Sequence, residues 1–366
     1  MTSVLRRVRL SSVAVIAVAL AIVVPGVSHA KVRELKVMTQ NLYLGSSLDA
    51  AIIATTPGEF FAAAAIIYGT VQFTNFPARA AAIAREVAAN DPDIIGLQEV
   101  SNWIVAGPLG APPSLDFLAI LQQALQNQGL HYSVAAVSNN ANIGPIPLVG
   151  PTPCTPDFDP PQIPPTCLLT FQDRDVILVN DDSLDLEISN PQSGRYASQQ
   201  VVPEQPIPGV GQLSFDRGWC SIDGKLEGKK FHFVNTHLET ETYPTVQEAQ
   251  GREFLRGPAK AGGAVIATGD FNSAADGSTT KTYANLTKSY FDDAWDTNPG
   301  DPGFSCCQNS TLTNFTSGLN SRIDLVLTHA ASRALDAALI GNSRFEAVPP
   351  LWPSDHAGVI ATLRIH

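Results

Sequence analysis

The sequence lacks the signatures of several common chemistries. Its five cysteines include no Cys-x-x-Cys pair, which argues against a structural zinc site. It has no G-x-S-x-G elbow, no H-E-x-x-H and no G-x-x-x-x-G-K-[ST], so the serine-hydrolase, zinc-protease and P-loop readings lose their usual support. Neither an internal repeat nor a sustained heptad is visible, which excludes a solenoid or a coiled coil. Basic residues are few: 23 Lys and Arg against 34 Asp and Glu give a formal charge of −11, with no basic cluster. Such a surface resists non-specific adsorption to nucleic acid, but metal ions can still screen phosphates at a site. Beyond the first thirty residues no apolar run is long enough to cross a bilayer, so no integral membrane segment is expected in the mature chain.

The N-terminus carries a basic start (Arg6, Arg7, Arg9), an apolar run from Val13 to Val24 broken by Pro25-Gly26, and a small-x-small site at Ser28-His29-Ala30. This pattern predicts a secretory signal peptide over residues 1–30, cleaved after Ala30, and a secreted or periplasmic protein. The remainder, 31–366, is expected to form one catalytic domain and to act as a monomer. In an exported chain the cysteines can pair. Cys154 with Cys167 would close a short loop worth about 3 kcal/mol in the chain-entropy account. Cys220 is expected to meet Cys306 or Cys307, which leaves one thiol over.

Glu34–Thr39 alternates like a half-buried strand and runs into Gln40-Asn41. Glu59–Tyr68 and Pro77–Ala89 read as Ala-rich helices, the second stopped by Asn90-Asp91-Pro92-Asp93. Ile94–Leu97 reads as a buried strand that delivers Gln98-Glu99. Leu115–Gln128 reads as an amphipathic helix. Residues 139–167 are rich in Pro, Asn and Gly and are expected to form a long surface loop without regular structure. Asp175–Asn180, Ser183–Ile188, Phe231–His237, Ala264–Gly269, Ile323–Thr328 and Gly358–Ile365 read as strands, Thr245–Leu255 and Thr279–Lys288 as helices, and Gly194–Gln212 as irregular. Many strand links lack a helix, which favours two packed sheets with helices outside over a doubly wound parallel sheet.

Polar residues sit where the apolar runs end: Asn41, Glu99, Asn235 with His237, Asp270 with Asn272, Asp324, and Asp355 with His356. Carboxylates and imidazoles at core strand ends are costly unless paired or bound to a metal. The set is oxygen-rich and free of thiols, so it suits Mg²⁺, Mn²⁺ or Ca²⁺ better than zinc. Arg217 reads as a turn residue, with contact to a phosphate as the alternative, and Arg322 as a structural partner of Asp324.

The stretches MTQNLY, IIGLQEV, FVNTHLE, TGDFNS, SRIDLVL and WPSDHAGVIATL, in that order, resemble the motif set of the endonuclease/exonuclease/phosphatase superfamily. That superfamily includes deoxyribonuclease-I-like nucleases, neutral sphingomyelinases and inositol phosphatases. The resemblance runs from about Glu34 to the C-terminus, with the Pro-rich loop as an insertion. It implies a four-layer α/β-sandwich, two mixed sheets flanked by helices, and metal-assisted phosphoester hydrolysis. By motif match, Glu99 resembles the principal metal ligand, with Asn41 beside it and Asp355 near the ion. His237 would donate to a phosphate oxygen, and Asp270 and Asn272 would orient water and phosphate. Asp324 resembles the carboxylate that pairs with the histidine of the middle motif, and Asp355 and His356 would form a dyad that handles the proton.

The expected activity is therefore that of an exported, divalent-metal-dependent phosphohydrolase, a nuclease-like phosphodiesterase. Its cation would be Mg²⁺ first, then Mn²⁺ or Ca²⁺, and its substrate nucleic acid or a phospholipid head group. The alternatives are a sphingomyelinase-type enzyme, which calls for exposed apolar tips such as Phe60-Phe61 or Leu351-Trp352, and an inactive binding module on the same fold.

Overall fold

Strand Leu35–Asn41 shows how the sequence builds the core: Leu35 and Val37 face one apolar layer and Met38 the other, as the two-residue period of a strand requires. The architecture is that of a computed structural model, which describes residues 33–108, 111–148, 167–288 and 290–366, the side chains of 203–205 apart. The signal segment, residues 149–166 and the Cys154–Cys167 pairing lie outside the described residues.

Two mixed sheets pack face to face. The first runs in the order Ser332–Ile340, Gly358–Ile365, Leu35–Asn41, Ile94–Gln98, Leu168–Asn180, Asn102–Ala106, Leu115–Asp116, with Tyr132–Pro147 on the free side of Leu168–Asn180. The second runs Asp292–Asp293, Asp324–His329, Ala264–Asp270, Lys229–His237, Gly218–Leu226, Leu186–Arg195. Between them lies an apolar layer of residues such as Val37, Ile177, Phe233, Ile266 and Leu363. Helices Pro57–Phe73, Phe76–Asn90 and Phe117–Asn127 cover the outer face of the first sheet, and Pro244–Arg256 covers that of the second through Phe254, Val265 and Phe271. The result is the four-layer α/β-sandwich that the motif order implied.

Local chemistry sets the ends of these elements. Thr56 and Glu59 close a capping box on the helix that begins at Pro57. Asp91, at φ 49°, ends Phe76–Asn90 in the left-handed region.

Four expectations need correction. Residues Tyr132–Pro147 form a strand, although Pro145 and Gly144 argued for a loop. Its one strand neighbour is Leu168–Asn180, apart from a single bridge between Ala141 and Phe215, and its register shifts at Asn139/Ala141 and Ile143/Ile146. Edge position and bulges are what let a strand carry proline. Val201–Ile207 and Gly211–Ser214 form a small two-stranded sheet where irregular chain was expected. Leu115–Asp116 belongs to a strand, and Asp116 caps the helix that follows it. Cys220 is a free buried thiol in the layer between the sheets, whereas Cys306 and Cys307 lie against each other. Two neighbouring cysteines in one loop are closer to each other than either is to the sheet interior.

Candidate active site

The strand ends meet because of register. In the second sheet His237 lies opposite Asp270, and Asp270 opposite Asp324, so three motif residues form one row across three strands. In the first sheet Asn41 pairs with Gln98, which puts Glu99 one residue beyond the row. The loop carrying Asp355 and His356 enters the strand that pairs with Leu35–Asn41, at the same end. Glycine is required at 269: a Cβ there would sit 2.0 Å from the Thr236 carbonyl oxygen. Gly96 has a similar reason, since a Cβ would meet the Asn235 side chain of the facing sheet at 2.5 Å.

Hydrogen bonds knit the ends together. The Asn41 amide donates to Glu99 Oε1 and to Asp270 Oδ2, each at 3.2 Å. The Leu44 N–H donates to Glu99 Oε2 at 2.7 Å. The Asn272 N–H donates to Asp270 Oδ1 at 2.9 Å, an Asx turn, and its side-chain amide lies 3.2 Å from His237 Nε2. His237 Nε2 is 3.4 Å from Asp270 Oδ2. His356 Nδ1 is 2.8 Å from Asp324 Oδ2, and its Nε2 is 3.9 Å from both Asp270 and Asp355.

Two pairings implied by the resemblance are thus corrected. Asp324 partners His356, not the histidine of the middle motif. Asp355 is beyond hydrogen-bond reach of His356, because neighbouring residues diverge even in a loop. Arg322 pairs with Asp293 rather than Asp324. Phe60, Leu351 and Trp352 are buried, so they are not exposed tips.

The electrostatics follow from burial. Desolvation, then the Asp324 charge, pushes the Asp270 carboxyl up to about 7. Burial, with Glu99 adding to it, raises Asp355 to about 7 as well. Desolvation and then Arg217 hold His237 well below the usual imidazole range, so it is neutral. Burial works against a charge on His356, but Asp324, Asp355 and Asp270 outweigh it and hold the ring protonated near neutral pH.

Sequence reasoning passed over Asp173 and Arg79 and favoured a turn role for Arg217. Arg217 is not merely a turn residue: its Nη1 lies 3.1 Å from both His237 nitrogens, its Nη2 donates to Glu239 at 3.4 Å, and its Nε is buried without a partner. Asp173 is buried, has an unpartnered oxygen, and is raised to about 7 by burial and then by Glu99. The alternation of FQDRDVIL, with acidic residues at inward positions, was the available signal. Arg79 is fully buried and donates to the carbonyls of Leu42, Tyr43, Thr74 and Pro353. It ties the loop after Asn41 to the loop before Asp355, and nothing in its Ala-rich helix marks it out.

The donor set suits a hard cation. Asp270 and Asp324 bring carboxylate oxygens within 4.8 Å of each other beside His356, which as an imidazolium is a donor and leaves metal binding to the carboxylates. Asp324 Oδ1 is buried with no partner, and burial raises the Asp270 and Asp355 carboxyls although His356 lies nearby. A cavity of about 400 Å³ opens beside Glu99, Asp173 and Arg217.

Comparison with known proteins agrees with this geometry. A family profile described as "Endonuclease/Exonuclease/phosphatase family" matches residues 38–356. No curated protein matches the sequence significantly. Among solved structures, an endonuclease/exonuclease/phosphatase family protein from Leptotrichia buccalis superposes with TM-score 0.56 at 15% identity, over 90% of this chain and 100% of that one. A mannosyl-6-phosphatase from Bacteroides thetaiotaomicron gives 0.52 at 17% identity, over 90% and 100%. D. rerio TDP2 complexed with single-strand DNA product gives 0.51 at 14%, over 90% and 99%.

Proposed function

The chain belongs to the endonuclease/exonuclease/phosphatase family, whose members are phosphoric ester hydrolases, and from that premise we propose that it is an exported, divalent-cation-dependent phosphodiesterase. One observation carries the reading. Residues from six separated motifs, Asn41 to His356, converge on a single buried cluster at the strand ends beside an open cavity. No purely structural need explains so many desolvated ionisable groups in one place.

In this reading Glu99, with Asn41 beside it and Asp355 close by, would hold the cation. When bound, such an ion supplies positive charge to the phosphoryl and leaving oxygens. Asp270, with its carboxyl near 7, accepts a proton from the attacking water at neutral pH. The water oxygen bonds to phosphorus, and the ester P–O bond breaks with its electrons on the leaving oxygen. Neutral His237 presents its ring N–H to the phosphoryl oxygens, and the Asn272 amide, 3.2 Å from His237 Nε2 and donating to the Leu238 carbonyl, holds the ring in place. His356, kept protonated by Asp324, donates to the same group and offsets its growing charge.

The test is hydrolysis of bis-p-nitrophenyl phosphate. Activity is expected with Mg²⁺ or Mn²⁺, is expected to vanish with chelator, and should fall at least a hundredfold in Asp270→Ala and His356→Ala. Undiminished turnover in either variant would reject the mechanism. Export is supported by the N-terminal sequence and is checked by the mature N-terminus, expected at Lys31.

A further inference from the structure

The cavity beside the catalytic cluster has both charged and apolar walls. Glu99, Asp173 and Arg217 line it, and so do Leu48, Ile52, Phe171 and Phe215. These same four apolar residues also line an adjoining recess of about 40 Å³ that has Phe60 and Trp103 in its walls and no charged residue among them. The wall shared by Leu48, Ile52, Phe171 and Phe215 therefore gives the catalytic cavity an apolar surface backed by hydrocarbon. Ile53, which is 75% exposed, stands at the lip of the larger cavity.

The charges around the cavity narrow the choice of ligand. Asp49, Asp216 and Glu239 line it, against Arg217 alone among basic residues. A nucleic-acid strand brings a phosphate with every nucleotide, so its flanking phosphates would face carboxylates. A molecule with one phosphate and one hydrocarbon tail avoids that conflict and gains from burying the tail.

We propose that the cavity seats the aliphatic chain of the substrate, so that the preferred substrate class is a phosphodiester amphiphile carrying a single aliphatic chain. The proposal deepens the phosphodiesterase reading and rests on it for the reaction, though not for the binding. Ile52 and Phe215 then act as specificity residues that touch the tail and not the phosphate.

Two measurements on the purified protein in Mg²⁺ buffer separate the claims. Calorimetric titration with methylphosphonate and octylphosphonate, below micellar concentration, should show at least tenfold tighter binding of the octyl compound. Turnover of p-nitrophenyl methyl phosphate and p-nitrophenyl octyl phosphate should show a kcat/KM at least tenfold higher for the octyl ester. Ile52→Asp and Phe215→Ser should each remove the preference while leaving the methyl ester's turnover and the circular dichroism spectrum unchanged. Equal affinity for the two phosphonates overturns the proposal, and so does a tenfold preference for thymidine p-nitrophenyl phosphate over the octyl ester. Tight octylphosphonate binding without turnover of any ester supports the chain-binding cavity and instead refutes the phosphodiesterase reading.

Discussion

Asp270→Asn should weaken catalysis and, without metal, strengthen the fold. Burial and the neighbouring Asp324 raise the Asp270 carboxyl from 3.8 to about 7. At roughly 1.4 kcal/mol per pKa unit, keeping that carboxylate charged in the native state costs about 4 kcal/mol above pH 7. Between those two values the native protein holds a proton that the unfolded chain has released, so stability falls as pH rises, and below about pH 4 the cost is gone. The amide carries no such cost. It does forfeit the acceptor for the Asn41 side chain, now at 3.2 Å, a loss of about 1 kcal/mol. In urea unfolding with EDTA, the variant should be about 1 kcal/mol less stable than wild type near pH 4 and about 1–3 kcal/mol more stable near pH 8. Millimolar Mg²⁺ should narrow the gap at pH 8 by stabilising the wild type more. A difference that does not change with pH, or a variant less stable at pH 8, would refute the burial argument.

Three further perturbations probe the rest of the site. Asp324→Asn removes the carboxylate 2.8 Å from His356 Nδ1, so the imidazolium loses its proton at lower pH. The alkaline limb of the pH–rate profile should move down by about one unit or more, and an unmoved limb would mean that His356 does not act protonated. Arg79→Met strips donors from the carbonyls of Leu42, Tyr43, Thr74 and Pro353. A loss of about 3–5 kcal/mol in urea unfolding is expected, and less than about 1 would show that the two loops hold together without it. Gly269→Ala puts a methyl carbon 2.0 Å from the Thr236 carbonyl oxygen. It should lower the unfolding midpoint sharply, by several degrees or more in a thermal melt, and wild-type stability would show that the strand can shift.

The sequence by itself determined the fold class and the membership of the site, and for one reason: both are written in local patterns. Apolar runs with a two-residue period become strands, and a polar residue at the end of such a run falls at a sheet rim. Asn41, Glu99, His237, Asp270, Asn272, Asp324, Asp355 and His356 could all be picked out in this way. Only the tertiary structure decided who pairs with whom. Asp324 meets His356 because strand register and the entry of the last loop bring them to 2.8 Å, and no spacing in the chain encodes that distance. Asp173 and Arg79 escaped notice, and Arg217 was read first as a turn residue, for a related reason. Each sits in a stretch that looks like turn, strand or helix, and becomes important only through burial against residues far away in the chain. The strand through Gly144 and Pro145 was hidden because its neighbour and its bulges, not its own residues, make it a strand.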